Sequence, residues 1–295
     1  MKELLNRLNA IQEQYEFSDA QLCSKIGITP DELYLLRNNR LSDPLRLQFI
    51  QRFVEMMQEK IYPTKLLNKM ENLFTLTHKE QAITIVGSIS GGGKTLASER
   101  FSNANTYAVY LYIPEIITPR HLLALICQKL ALPWSGLNLQ QLYEQIIGSL
   151  AQEKKLLIFD EADRLNKKMF EIMRDIWSDG KGNVGLVFVG DENLMNKIKR
   201  PGTLRDNLIR LMRRVKYNEI LDPLHPDDVK MVFKTELGKH KITDDMIKAI
   251  FNKYCKLGGF GSILNLTDKI SKIAKNTGDQ PNNEMAEEAI KRLKI

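Results

Sequence analysis

The stretch Ile83-Thr-Ile-Val-Gly-Ser-Ile-Ser-Gly-Gly-Gly-Lys-Thr95 decides the fold, because an apolar β-branched run empties into three glycines and then Lys-Thr. That order describes a strand, a tight loop and a helix start. Gly91, Gly92 and Gly93 carry no side chains to obstruct a ligand. Successive backbone N–H groups can therefore turn inward on a polyphosphate while the next helix directs its positive end at the same anion. Ser88 and Ser90 complete the loop, Lys94 is placed to reach the β- and γ-phosphates of ATP, and the Thr95 hydroxyl to hold Mg²⁺. Counting back from Gly93, the first glycine of G-x-x-x-x-G-K-[ST] falls on Ser88, and Gly87 stands one residue early.

A second apolar run, Leu156-Leu-Ile-Phe159, ends in Asp160-Glu161 and reads as a buried parallel strand whose C-terminal end carries chemistry. Asp160 would orient the metal, and Glu161 would polarise the water that attacks the γ-phosphate. An acidic pair after a strand is by itself also a favourable helix start. The glycine-rich loop upstream is what turns it into half of a nucleotide site. A third strand, Val184 to Gly190, ends in Asp191, a polar group expected between the acidic pair and the loop, where it can position water.

Between these strands, Tyr107 to Ile113 reads as a strand, Thr118-Pro119 caps a helix carrying Leu122, Leu123, Leu125 and Ile126, and Leu139 to Gln152 forms another helix. The β-α-β alternation predicts an α/β fold with a parallel sheet covered on both faces. Lys167 to Trp177 has helical apolar spacing and reads as packing. The densest basic stretch runs Lys197, Lys199, Arg200, Arg205, Arg210, Arg213, Arg214 and Lys216, with the arginines gathered just before a strand over Val215 to Ile220. An arginine there can cross a subunit interface onto a neighbour's γ-phosphate; Arg214 is the first choice, then Arg213 and Arg210.

The ends are helical. Residues 1–60 contain an apolar face at Leu4, Leu5, Leu8 and Ile11, a short helix capped by Ser18 and ending near Gly27, and a second helix opened by Thr29-Pro30-Asp31-Glu32 and closing at Arg37. This arrangement predicts a helix-turn-helix, with Arg37 and Arg40 where it would exit toward a phosphate backbone, although Asp31 and Glu32 disfavour tight contact. A fourth helix is expected from Asp43 to Glu59. Residues 61–222 form the α/β unit, and 223–295 a small all-helical lid of four helices, with Gly258 to Gly261 as a turn near the nucleotide.

With 295 residues, 43% hydrophobic and 27% charged, the composition excludes disordered and fibrous classes, and a net charge of +7 permits a polyanionic partner. Cys23, Cys127 and Cys255 have no metal-ligand spacing and read as buried thiols in a reducing cytoplasm. No apolar run approaches ~18 residues, and Met1 to Asn6 lacks a signal-peptide core, so no membrane partner is expected and the expected location is cytoplasmic.

In this order, phosphate loop, Leu157-Ile-Phe-Asp-Glu-Ala-Asp-Arg-Leu165, Gly185-Leu-Val-Phe-Val-Gly190, Leu211-Met-Arg-Arg-Val215 and Gly259-Phe-Gly-Ser-Ile-Leu-Asn265, the chain resembles an AAA+ ATPase. Within that class it is similar to the B transposition proteins of Mu-like phages. The resemblance implies an ATPase that uses ATP and Mg²⁺, assembles as a homo-oligomeric filament or ring on double-stranded DNA with little regard to sequence, selects target DNA, and activates a DDE-type transposase. It also implies DNA contacts from loops facing the filament axis: Thr118, Arg120 and His121 after the second strand, and Lys167, Lys168 and Lys181 around the helix after the acidic motif. Three positions depart from the family. Ser88 replaces the first loop glycine, Asp191 stands where Asn is usual, and Ser262 stands where the lid usually carries an arginine toward the nucleotide. An added negative and a missing positive charge near the γ-phosphate imply slow hydrolysis used as a switch. Rival readings are a helicase loader or secretion-type AAA+ ATPase, and a helix-turn-helix regulator with a non-hydrolysing nucleotide site.

Overall fold

A computed structural model describes residues 2–58, 62–89, 91–180, 182–191, 194, 211–222, 224–254 and 259–292. Ser90, Lys181, Glu192, Asn193, Cys255, Gly258 and the basic stretch from Lys197 to Arg210 lie outside the described residues.

The first four helices are α1 (Lys2–Gln14), α2 (Asp19–Ile26), α3 (Pro30–Arg37) and α4 (Pro44–Gln58). Their boundaries follow from side-chain capping: Ser18 and Gln21 exchange bonds across the start of α2, and Thr29 and Glu32 do so at α3, with Pro30 in its first turn. Leu8, Leu22, Leu33, Leu36, Ile50 and Val54 form their shared core.

Next come α5 (Lys65–Glu80), β1 (Ile83–Gly87), α6 (Lys94–Ala104), β2 (Ala108–Tyr112), α7 (Pro119–Lys129), α8 (Leu139–Leu150), β3 (Lys155–Asp160), α9 (Lys167–Asp179), β4 (Val184–Gly190) and β5 (Val215–Ile220). The strands form one parallel sheet in the order β2-β3-β4-β1-β5. Alternating strand residues feed two cores, as strand geometry requires. Ile83, Ile85, Leu157, Phe159, Leu186 and Phe188 pack under α7, α8 and α9, whereas Val86, Leu156, Ile158, Val187 and Val189 pack under α5 and α6. Every residue of β1 and β4 is buried, as expected for strands covered on both faces, while edge strand β5 is mostly exposed.

The last helices are α10 (Pro226–Leu237), α11 (Asp244–Tyr254), α12 (Gly259–Thr277) and α13 (Asn283–Arg292), with a core of their own around Phe233, Ile250, Tyr254 and Ile270. The turn expected over Gly258 to Gly261 is, from Gly259 on, the first turn of α12. Tyr62, between α4 and α5, packs against this core, its ring tilted against that of Phe260 with centroids 5.3 Å apart. Cys23 and Cys127 are buried free thiols. Among the described residues no helix is long and apolar enough to cross a membrane.

Candidate nucleotide site

The phosphate loop, Asp160, Glu161 and Asp191 all lie at strand ends on the C-terminal edge of the sheet. Following β1, Gly93 takes a left-handed φ of 92° and opens α6 with no side-chain cap. The first-turn amides of that helix therefore have no internal side-chain acceptor and suit an anion. Lys94 folds back over the loop, donating to the carbonyl oxygens of Ser88 (2.7 Å) and Ile89 (3.0 Å). Burial lowers its pKa, opposed by the carboxylates of Asp160, Glu161, Asp191 and Asp163. Ser88 is wholly buried, its amide donates to Gly190 O (3.2 Å), and its hydroxyl makes no hydrogen bond among the described residues.

Asp160, at the end of β3, is fully buried and heavily hydrogen-bonded. Its Oδ2 accepts from the Thr95 hydroxyl (2.7 Å) and the Tyr110 hydroxyl (3.0 Å), and its Oδ1 from the Glu161 amide (3.0 Å). A hydroxyl and a carboxylate meeting in this way form a hard-oxygen pair suited to Mg²⁺. Among the described residues no cluster of three or more His, Cys, Asp or Glu could hold a metal by itself. Glu161 has a left-handed backbone (φ 56°), uncommon for a residue with a side chain. Burial raises its pKa, and Arg164, 3.4 Å away, opposes that rise. Arg164 in turn donates to the Tyr112 hydroxyl (2.9 Å) and Ile113 O (2.8 Å).

Asp191 follows β4, which lies between β3 and β1, so it stands between the acidic pair and the phosphate loop; its Oδ1 accepts from the Leu194 amide (3.2 Å). Ser262 lies in the first turn of α12, and that turn abuts the loop: the Phe260 amide reaches Gly91 O at 3.3 Å. Arg213 and Arg214 lie at the opposite edge. Val215 pairs with Ile83 at the start of β1, which sets the arginines roughly 13 Å of strand away from the phosphate-loop end. There they line a cleft of ≈ 560 Å³ with Arg174, Asp175 and Ser178 of α9.

The residues expected to face DNA are scattered, and several have structural tasks. Arg37 makes a two-pronged ion pair with Asp19 (2.6 and 2.7 Å) and bonds Gln12, fastening α1, α2 and α3 together. This bonding holds the Asp19 carboxyl down to about 2. Arg37 and Arg40 are both exposed, and Arg37 is engaged by this ion pair. Thr118 caps α7 by accepting from the His121 amide (3.2 Å), and Arg120 donates twice to Leu137 O (3.1 and 2.8 Å). Lys167 and Lys168 occupy the first turn of α9. The Gly258 to Gly261 segment was expected near the nucleotide, whereas Tyr110 and Arg164 are site features that the sequence did not single out. The one hint was the pair of tyrosines at alternate positions of a strand.

Residues 76–198 match the family described as AAA domain. No curated protein matches the chain. Among solved structures, the chain is similar to a single-residue mutant of Thermotoga maritima RuvB, at 15% identity, TM-score 0.50, covering 81% of this chain and 74% of that one. It is also similar to the T. maritima RuvB Holliday junction branch migration motor (15%, TM-score 0.48, 80% and 72%) and to C. elegans PCH-2 (11%, TM-score 0.41, 80% and 70%). The matched AAA domain and the likeness to the RuvB mutant at TM-score 0.50, together with the parallel sheet and its glycine-rich loop, support an AAA+ P-loop fold.

Proposed function

We propose that this protein is an ATP-dependent, largely non-sequence-specific DNA-binding ATPase that assembles as a homo-oligomer on double-stranded DNA in the cytoplasm, selects target DNA and activates a DDE-type transposase. The observation that carries the nucleotide half is the 2.7 Å contact between Thr95 and the buried Asp160, directly beside Lys94 and an uncapped helix N-terminus. The loop amides and Lys94 would bind the phosphates, Thr95 and Asp160 would hold Mg²⁺, and Ser262 lies in the turn of α12 that abuts the loop. When bound, Mg²⁺ would neutralise charge on the phosphate oxygens. Glu161 takes the proton of the attacking water, and Asp191 orients that water.

The far-edge position of Arg213 and Arg214 supports their action on a neighbouring subunit's nucleotide, which makes hydrolysis depend on assembly. Arg164 engages Glu161 and Asp191 adds negative charge, and both favour slow turnover that a partner accelerates. Duplex contact falls to loop residues Thr118, Arg120, Lys167 and Lys168 together with Arg40, while the exposed ion pair with Asp19 favours a structural task for Arg37.

Steady-state ATP hydrolysis with and without duplex DNA tests the assignment. Glu161→Gln should lower turnover about 100-fold or more while nucleotide binding persists. Turnover retained within a few-fold would remove Glu161 from the role of base.

A further inference from the structure

A groove of ≈ 490 Å³ lies between β2 and α7, outside the nucleotide site. Its walls include Tyr110 and Tyr112 from one face of β2, Arg120, His121 and Lys129 from α7, and Trp134 from the loop after it. Three features set it apart. First, large apolar groups stand in solvent there: Ile116 is 90% exposed, Tyr112 48% and Trp134 41%. Second, its ionisable lining is basic or phenolic, and no carboxylate lines it among the described residues. Third, both tyrosines reach the acidic motif. The Tyr110 hydroxyl donates to Asp160, and the Tyr112 hydroxyl accepts from Arg164, whose guanidinium also pairs with Glu161.

We propose that this groove binds an unpaired DNA strand, its bases stacking on Trp134 and Tyr112 and its phosphates meeting His121 and Lys129, and that the two tyrosines report occupancy to Asp160 and Glu161. Aromatic faces interleaved with cations are what a single strand requires, since every base offers a π-face and every linkage a negative charge. The guanidinium of Arg164 lies 5.3 Å from the centre of the Tyr112 ring and polarises it. An extended peptide fits less well. Addition to the backbone edge of β2, which pairs only with β3 among the described strands, calls for main-chain bonds and gives no role to exposed aromatic faces interleaved with cations. A duplex keeps its bases stacked inside and can offer only phosphates. The reporting step rests on the roles proposed above for Asp160 and Glu161; the binding step does not.

The test uses the full chain without nucleotide, following tryptophan emission during titration with single-stranded oligothymidylate, with a duplex of equal length, and with a glutamate-rich peptide. The other tryptophan, Trp177, donates to Gln81 O (2.8 Å) inside the fold and provides the background. The expected result is a saturable change with the single strand that Trp134→Phe abolishes, that weakens with salt, and that Lys129→Gln combined with His121→Ala shifts to roughly tenfold weaker binding. No response from Trp134, or an equal response to the duplex or the peptide, would overturn the site. With ATP present, Tyr110→Phe should keep strand binding and lose the strand-dependent change in turnover. A change of the same size as in the wild type would overturn the reporting step. Absence of all wild-type turnover would count against the ATPase reading and the reporting step, with strand binding still decided by the emission.

Discussion

Lys25 of α2 donates its ammonium protons to Ser102 O (2.5 Å) and Asn105 O (3.2 Å), at the C-terminal end of the helix that begins with Lys94 and Thr95. A cation complements that end of a helix. Burial, and secondarily Lys155, nevertheless lower its pKa to about 8 from the ordinary 10.5. Between those two values the unfolded chain binds more protons than the folded one, so stability rises with pH across the window and the cost is complete below it. The full effect is at most about 3 kcal/mol. Denaturant midpoints at about pH 7.5 and about pH 10 should show wild type gaining on Lys25→Met by part of that amount. A difference independent of pH would contradict the assignment. Arg37→Ala should cost about 1 kcal/mol, because the pair is partly exposed, and leave DNA affinity unchanged at equal folded fraction; a fall in affinity without a fall in stability would restore it as a DNA contact. At this scale the sequence exposed Lys94, Thr95, Asp160 and Glu161, since their chemistry is tied to short-range spacing. It concealed Tyr110 and Arg164, whose partners are supplied by β2 lying beside β3, and the Asp19 partner of Arg37, which depends on how two helices pack.

The helices whose limits were most legible carry their own caps, as Ser18 and Gln21 do for α2 and Thr29 and Glu32 for α3. Where the start is set by a tertiary contact, the sequence misleads. Gly259 reads as part of a loop, yet it begins α12 with a left-handed φ of 54°, and a Cβ there would stand 2.5 Å from Gly91 O. That close approach brings α12 against the phosphate loop. Gly259→Ala must therefore push the two apart and should cost about 1–3 kcal/mol while changing nucleotide affinity. Thermal unfolding and nucleotide titration check this, and unaltered values for both would show that the contact is not maintained. The same helix is tied to the segment after α4: Phe260 packs at a tilt against Tyr62, whose hydroxyl donates to Glu236, and the Lys65 amide donates to Asp228 (3.0 Å). A shift of α12 at the phosphate loop is thereby felt in the chain leading back to the first four helices.

For the molecule as a whole, strand order does most of the positioning. Parallel β3, β4 and β1 bring Asp160, Asp191 and the phosphate loop to one edge, and the register of β5 sends Arg214 to the other. An α/β sheet was legible from apolar runs that each end in polar or glycine-rich turns, whereas the order of the strands is a long-range property that such runs do not encode. The phosphate loop and Arg214 stand at opposite edges, and the proposed function has Arg214 act on a neighbour's nucleotide, so that ATP joins copies of this chain on DNA. Electron microscopy of the protein with a random-sequence duplex, comparing ATP, a slowly hydrolysed analogue and ADP, tests this most directly. The account predicts ordered assemblies with the triphosphates and none with ADP, and their loss in Arg214→Ala while nucleotide binding persists. Assemblies of normal length in Arg214→Ala, or DNA binding indifferent to the nucleotide, would contradict it.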